Sequence, residues 1–252
     1  MQDRFEGKRV FVTGGARGIG AAIAIRFKTE GASVAIGARN SDSIDRFRAD
    51  HGDEYSGVAA DLSSRVNCHR AVDQAIAQLG GLDILVNSAG IFADVSIEAV
   101  TQEHWDETIA TNLGGVFFCC QAALPTLIEN RGNIVNIASD AALVAYSPAP
   151  AYGASKAGVV NLTQTLAYTL AKQVRVNCVC PGNVETDMLT QTADQTDDPQ
   201  AYLAAARQRA PVGRMATPEE IAEAVAYFAS DNAGFTTGAA LAIDGGGVLG
   251  FD

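Results

Sequence analysis

Thr13-Gly14-Gly15-Ala16-Arg17-Gly18-Ile19-Gly20 is the stretch on which the fold turns. It follows a short apolar run, Arg9–Thr13, and leads at once into a segment of helical period, Gly18–Glu30. Glycines at 14, 18 and 20 let the chain turn tightly, let its backbone approach a phosphate, and let the helix sit close on the strand. A helix starting there presents free N–H groups and its positive dipole end to a pyrophosphate. A glycine triplet alone says little. At the first strand-to-helix junction of an N-terminal βαβ unit it marks a dinucleotide site.

Working outward, short apolar runs alternate with helical segments along the whole chain. The expected strands are Arg9–Thr13, Ser33–Gly37, Gly57–Ala60, Ile84–Asn87, Asn133–Ala138, Val174–Val179 and Ala240–Ile243. Most are apolar without alternation, as strands covered on both faces of a parallel sheet should be. The expected helices are about Gly18–Glu30, Ser41–His51, Ser64–Leu79, Thr101–Asn130, Tyr152–Ala171 and Thr217–Ala229. Gly31 and Gly80-Gly81 supply stops, and Thr217-Pro218-Glu219-Glu220 is a capping box with proline at the first helical position. The pattern predicts an α/β fold: a doubly wound, Rossmann-type parallel sheet of seven strands with helices on both faces. Residues 1–252 read as one domain. The long irregular stretch at about 187–214 reads either as a lid over the site or as a surface excursion with one short helix near Gln200–Arg209.

A chain of 252 residues that is 48% hydrophobic has enough material for one full core. Its 18 basic against 29 acidic residues give −11, and no basic block stands out, which argues against nucleic-acid or acidic-membrane partners. The polar opening Met-Gln-Asp-Arg-Phe-Glu is unlike a secretory signal, and no uninterrupted apolar run reaches the roughly 18 residues of a membrane helix. A cytoplasmic protein is expected. The five cysteines lack metal-ligand spacing with His51, His69 or His104 and read as small buried hydrophobes, so no metal is expected.

The G-x-x-x-G-x-G spacing resembles the T-G-x-x-x-G-x-G signature of the short-chain dehydrogenase/reductase family. Asn87-Ser88-Ala89-Gly90 after the fourth strand is similar to that family's N-N-A-G motif, with Ser for the second Asn. Asp61-Leu62 resembles the pair whose acidic side chain contacts adenine, and Pro181-Gly182 the segment beside the nicotinamide. Val184 and Thr186 fall where the family contacts the carboxamide and phosphate. The resemblance therefore implies cofactor contacts from Gly14, Arg17, Gly18, Ile19, Gly20, Arg39, Asp61, Leu62, Asn87, Ala89, Gly90, Tyr152, Lys156, Pro181, Gly182, Val184 and Thr186. At the end of the second strand an acid would bind the ribose hydroxyls and repel a 2′-phosphate. This chain has Ala38-Arg39 there, with Arg17 close by in the glycine loop. Two guanidiniums on one phosphate favour NADP, with NAD as the alternative.

Tyr152-Gly153-Ala154-Ser155-Lys156 puts two side chains on one helix face. A free tyrosine titrates near about 10, and a neighbouring ammonium favours its phenolate. Ser139 lies at the end of the fifth strand, where open α/β sheets hold ligands, thirteen residues before Tyr152. The set resembles the family's Ser–Tyr–Lys centre, and Asn112 falls where the family carries a fourth member. The implied roles are proton transfer by Tyr152, support of Tyr152 and the nicotinamide ribose by Lys156, polarisation of the substrate oxygen by Ser139, and a water relay to Lys156 held by Asn112. Hydride passes directly between cofactor and substrate carbon.

The expected pocket wall comprises Asp140-Ala141-Ala142-Leu143, Ala89-Gly90-Ile91-Phe92, Tyr146 and Ala149, with carboxylates of Asp140, Glu185 and Asp187 near the rim. Small apolar lining favours a neutral secondary alcohol, polyol or sugar and its carbonyl. The runner-up is a 3-oxoacyl-(acyl-carrier-protein) reductase, disfavoured because Glu129-Asn130-Arg131 and Lys172-Gln173 offer little basic clustering for an acidic carrier. A non-catalytic NAD(P)-sensing regulator is the third reading. The resemblance also implies a homotetramer paired through the helices matching Thr101–Asn130 and Tyr152–Ala171. The apolar ending Gly245–Asp252 reads as a segment that tucks into a neighbouring subunit.

Overall fold

Seven apolar runs pair into one sheet because each carries side chains that both faces can bury. The computed structural model describes residues 3–145 and 149–250. Tyr146 and the end of the chain after Gly250 lie outside the described residues. The strands are β1 (Arg9–Thr13), β2 (Ser33–Ala38), β3 (Ser56–Ala59), β4 (Ile84–Asn87), β5 (Asn133–Ile137), β6 (Arg175–Pro181) and β7 (Ala240–Ile243). Their order is β3-β2-β1-β4-β5-β6-β7, and every pair is parallel. The helices are α1 (Gly18–Thr29), α2 (Ser41–His51), α3 (Arg65–Leu79), α4 (Gln102–Ile109), α5 (Gly115–Glu129), α6 (Pro150–Leu170), α7 (Asp187–Ala193), α8 (Pro199–Gln208) and α9 (Pro218–Ala229).

Continuous hydrophobicity along a strand hides a strict alternation of faces. Val10, Val12, Ile84, Val86 and Val135 point into a core shared with Ile23 and Phe27 of α1, Phe47 of α2 and Ile221 of α9. Phe11, Leu85, Ile134, Val176 and Cys178 point the other way, onto Val72 of α3, Leu127 of α5 and Val159 of α6. Each large side chain fully buried here contributes about 1.5–3 kcal/mol. The order reverses between β1 and β4, and a crevice opens at such a switch point beyond the carboxyl ends of the strands.

Helix ends follow the expected chemistry. Asn40 caps α2 by accepting from Ser43 N at 3.0 Å, Ser64 caps α3 by accepting from Asn67 N at 3.3 Å, and Gly80 closes α3 at φ +72°. The capping box of α9 is complete: Thr217 N donates to Glu220 Oε2 at 2.9 Å and Glu220 N to Thr217 Oγ1 at 3.4 Å.

Two elements differ from expectation. The helix expected over Thr101–Asn130 is broken into α4 and α5 by a wide π-turn, Ala110–Gly114. Directly after it, a Cβ on Gly115 would stand 2.9 Å from Leu62 O, so the helix passes close against the loop after β3. By length and composition Gln102–Glu129 is apolar enough to cross a membrane. In the fold it packs along α3 and α6. The stretch 187–214 holds two helices, α7 and α8, rather than one. The seven residues of α7, Asp187-Met188-Leu189-Thr190-Gln191-Thr192-Ala193, carry no apolar period and no side-chain cap, so nothing local announces them.

Candidate active site

The crevice is a cleft of about 440 Å³ walled by the glycine loop, the loops after β4 and β5, the start of α6 and the segment after β6. Gly14 adopts φ +65° and Gly18 φ +52°, backbone that a side chain disfavours. A Cβ on Gly14 would lie 2.8 Å from Ala89 Cα, and one on Gly20 would collide with the Gly14 carbonyl oxygen. The loop is thus packed backbone against backbone. Arg17 occupies the N-cap of α1 in extended conformation and makes no side-chain cap, and no acid stands in the first turn. The N–H groups there are left for an anionic ligand, which is the fit a pyrophosphate requires.

Thr13, the first residue of the glycine motif at the end of β1, joins two walls of the cleft. Its Oγ1 accepts from Ser88 N at 3.1 Å and Ala89 N at 3.2 Å. The β1–β4 register brings these groups together, so the motif marks the threonine but not its partners. Asn87 and Asn112 do not line the cleft. The Asn87 side chain is buried and donates to Asn136 Oδ1 at 2.9 Å. Asn112, in the π-turn, donates to Ile91 O at 2.9 Å, accepts from Ile91 N at 2.8 Å, and donates to Ser155 Oγ at 3.2 Å. It pins the loop after β4 to α6.

Ser139, Tyr152 and Lys156 all reach the cleft. Lys156 is buried, and its Nζ donates to Ile137 O at 2.9 Å. Burial holds its ammonium down from the ordinary 10.5 to about 8, with the Cys180 thiol pulling weakly the other way. Nζ lies 5.7 Å from the Tyr152 ring centre, and Phe92 packs edge-on against that ring at 4.8 Å. Ser155, between Tyr152 and Lys156 in sequence, donates to Tyr152 O at 2.7 Å. Ser139 Oγ donates to Asp140 Oδ1 at 3.0 Å and accepts from Ala141 N at 3.2 Å. Burial raises the Asp140 carboxyl above its ordinary value, against the Ser139 bond that lowers it. A hydroxyl, a phenol and an ammonium at the carboxyl end of β5 form a set able to hold a substrate oxygen and move its proton.

Arg17, Ala38 and Arg39 line the far end of the cleft with Asp61 and Leu62, and both arginines are exposed there. Pro181, Gly182, Val184 and Thr186 form the opposite wall, followed by Asp187, Met188 and Leu189 of α7. Of the expected substrate wall, Asp140 and Ala89–Phe92 line the cleft. Ala141, Ala142 and Leu143 do not, because the 3₁₀ turn Asp140–Ala142 carries the chain away after one residue, and neither do Ala149 and Glu185. Above the cleft, Tyr202 of α8 donates to Asp94 Oδ2 at 2.7 Å and Asn183 Nδ2 to Ala206 O at 2.9 Å. Among the described residues no cluster of His, Cys, Asp and Glu has the makings of a metal site.

A doubly wound sheet with a glycine-loop cleft and a Ser–Tyr–Lys floor defines an NAD(P)-dependent oxidoreductase acting on a CH–OH group. The family model described as enoyl-(acyl carrier protein) reductase matches residues 14–247. The 3-oxoacyl-(acyl-carrier-protein) reductase of Thermotoga maritima is 36% identical over 251 residues, 98% of this chain and 100% of the relative. D-threitol dehydrogenase of Mycolicibacterium smegmatis is 40% identical over 249 residues, 96% of this chain and 94% of the relative. The ligand-free aldohexose dehydrogenase of Thermoplasma acidophilum superposes with TM-score 0.90 at 31% identity, covering 100% of this chain and 98% of that one. The chain belongs to the short-chain dehydrogenase/reductase family.

Proposed function

We propose that this chain is an NADP(H)-preferring enzyme that interconverts a neutral secondary alcohol, polyol or sugar hydroxyl with its carbonyl. The convergence of Ser139, Tyr152 and Lys156 beside the glycine loop carries the reading. Tyr152 transfers the proton, as base in oxidation and acid in reduction. Lys156 supports the tyrosine and bonds the nicotinamide ribose. Ser139 polarises the substrate oxygen, and Asn112 fixes the Ile91 loop and the water relay to Lys156. The cofactor, when bound, supplies or takes up the hydride.

Gly14, Gly18, Ile19, Gly20 and Thr186 hold phosphate oxygens in this reading, and Asp61 and Leu62 hold the adenine. Ala89 and Gly90 border the ribose, and Pro181, Gly182 and Val184 border the nicotinamide. The preference for NADP rests on Arg17 and Arg39 at the adenosine end, with Ala38 where a carboxylate would exclude a 2′-phosphate. The 187–214 segment acts as a lid over the substrate, since α7 lines the cleft and α8 is tied across it. We place the protein in the cytoplasm as a homotetramer acting on small molecules, with no nucleic-acid or membrane partner.

The Thermotoga relative keeps 3-oxoacyl-(acyl-carrier-protein) reduction in view as a second reading. Turnover of NADP⁺ and NAD⁺ over a panel of secondary alcohols and polyols, with reduction of ketones and a 3-oxoacyl thioester alongside, separates them. NADP-linked alcohol oxidation is expected, with Tyr152→Phe slower by about 10²–10⁴-fold. A strong preference for the thioester favours the second reading. Tight cofactor binding without turnover of any substrate leaves the sensor.

A further inference from the structure

Asp140 lines the cleft directly after Ser139, and the proton and hydride chemistry makes no use of it. Its Oδ1 accepts from Ser139 Oγ at 3.0 Å and from Ala141 N at 2.8 Å. Its Oδ2 makes no hydrogen bond to any described residue. The charges that act on it are of opposite sign: Arg209, just beyond α8, and Asp244, just beyond β7. Asp244 is committed to its own turn, accepting from Gly246 N at 3.0 Å and Val248 N at 2.6 Å.

An ionised carboxylate offers only acceptor lone pairs, so the open oxygen of Asp140 calls for a donor. A partly buried acceptor left unmet by its ligand is costly, which turns the same atom against hydrocarbon or anionic substituents. The position of Ser139 fixes where that donor must be. The reacting oxygen of the substrate sits against Ser139 Oγ, Asp140 Oδ1 lies 3.0 Å from that atom, and the open Oδ2 shares the same carboxyl carbon, within reach of a group on the neighbouring substrate carbon. Oxygens on adjacent carbons in a gauche arrangement stand about as far apart as two hydrogen-bonded oxygens. A vicinal pair of hydroxyls can therefore bridge the two side chains, one oxygen against Ser139 Oγ and the other donating to Asp140 Oδ2.

Resting on the dehydrogenase reading above, we infer that Asp140 selects substrates with a hydroxyl on the carbon next to the reacting CH–OH, by accepting that hydroxyl's hydrogen bond. The test compares kcat/KM for matched substrates with and without the second hydroxyl: cyclohexane-1,2-diol against cyclohexanol, and 2,3-butanediol against 2-butanol. The ratio within each enzyme is the readout, so that any loss through a disturbed Ser139 cancels. The wild-type chain is expected to favour the diols by about ten- to a hundred-fold, as a bond to a charged acceptor should. Asp140→Ala brings the ratio near one, mainly through KM, and Asp140→Asn, which keeps an acceptor, retains part of it. A wild-type ratio near one, or an Asp140→Ala ratio equal to wild type, overturns the inference even if the enzyme is an active dehydrogenase. If the wild-type chain oxidises neither member of any pair and reduces none of the corresponding ketones with either cofactor, the dehydrogenase reading fails, and this inference falls with it. Should the variants not fold, the wild-type ratio alone decides.

Discussion

Lys156 is a charge placed where charge is expensive. Only 5% of it is exposed, and burial holds its ammonium down to about 8. The unfolded chain keeps the ordinary 10.5, so between those values the unfolded state binds more protons and stability rises with pH. Below pH 8 the buried charge is a full cost to the fold. Lys156→Met is therefore expected to melt higher than wild type at pH 7, by on the order of 2 kcal/mol after the loss of the Ile137 bond. That gap should narrow by pH 10, while turnover collapses at every pH. Thermal melts of both proteins across that range check it, and a variant that melts lower at pH 7 would refute it. At the other end of the cleft, Ala38→Asp places a carboxylate against a 2′-phosphate. The NADP⁺/NAD⁺ ratio of kcat/KM is expected to fall by about ten- to a hundred-fold, and an unchanged ratio removes the case for NADP. Both residues could be singled out in the chain. What could not be read there are the partners of Thr13, Ser88 and Ala89, which lie 75 and 76 residues away.

Helix starts divide the elements into those whose N–H groups a side-chain cap satisfies and those left open, among them α1, α6 and α7. α2, α3 and α9 are closed by Asn40, Ser64 and Thr217, whereas α1, which faces the cleft, has no side-chain cap. The caps should therefore serve stability and the open end binding. Thr217→Ala is expected to cost about 1 kcal/mol, a drop of roughly 2–4 °C in Tm for a chain of this size, with kcat/KM unchanged. A loss of activity without a loss of stability would contradict that division. The seven strands were legible because the sheet buries both faces and needs apolar residues throughout. The π-turn and α7 were not. The first adjoins a close packing of Gly115 on the Leu62 loop that no local pattern announces, and the second is a short polar helix without a side-chain cap.

At the scale of the molecule, large apolar side chains remain uncovered on two faces. Phe117 and Tyr168 project from α5 and α6, and Phe235 and Leu249 stand beside the β7 edge, with Tyr168 at 89% and Leu249 at 87% exposure. Patches of this kind on a soluble domain mark association surfaces. Light scattering is expected to give the mass of four chains. Tyr168→Glu combined with Phe235→Glu should yield smaller species that melt at lower temperature. A wild-type chain that runs as a monomer at micromolar concentration would exclude the tetramer and leave these faces for another partner.

By itself the sequence determined the doubly wound topology, the glycine loop and the identity of Ser139, Tyr152 and Lys156, because strand periodicity, turn chemistry and short motifs are written in neighbouring residues. Only the tertiary structure decided which of those residues face the cleft. It put the Asn87 side chain behind the wall, set Asn112 to pin the Ile91 loop, carried Ala141 to Leu143 away from the cleft, and left Asp140 with one open oxygen beside Ser139. The physical reason is reach: a local pattern fixes the conformation of a few residues, whereas a site is made of side chains brought together by strand register and helix packing across the chain.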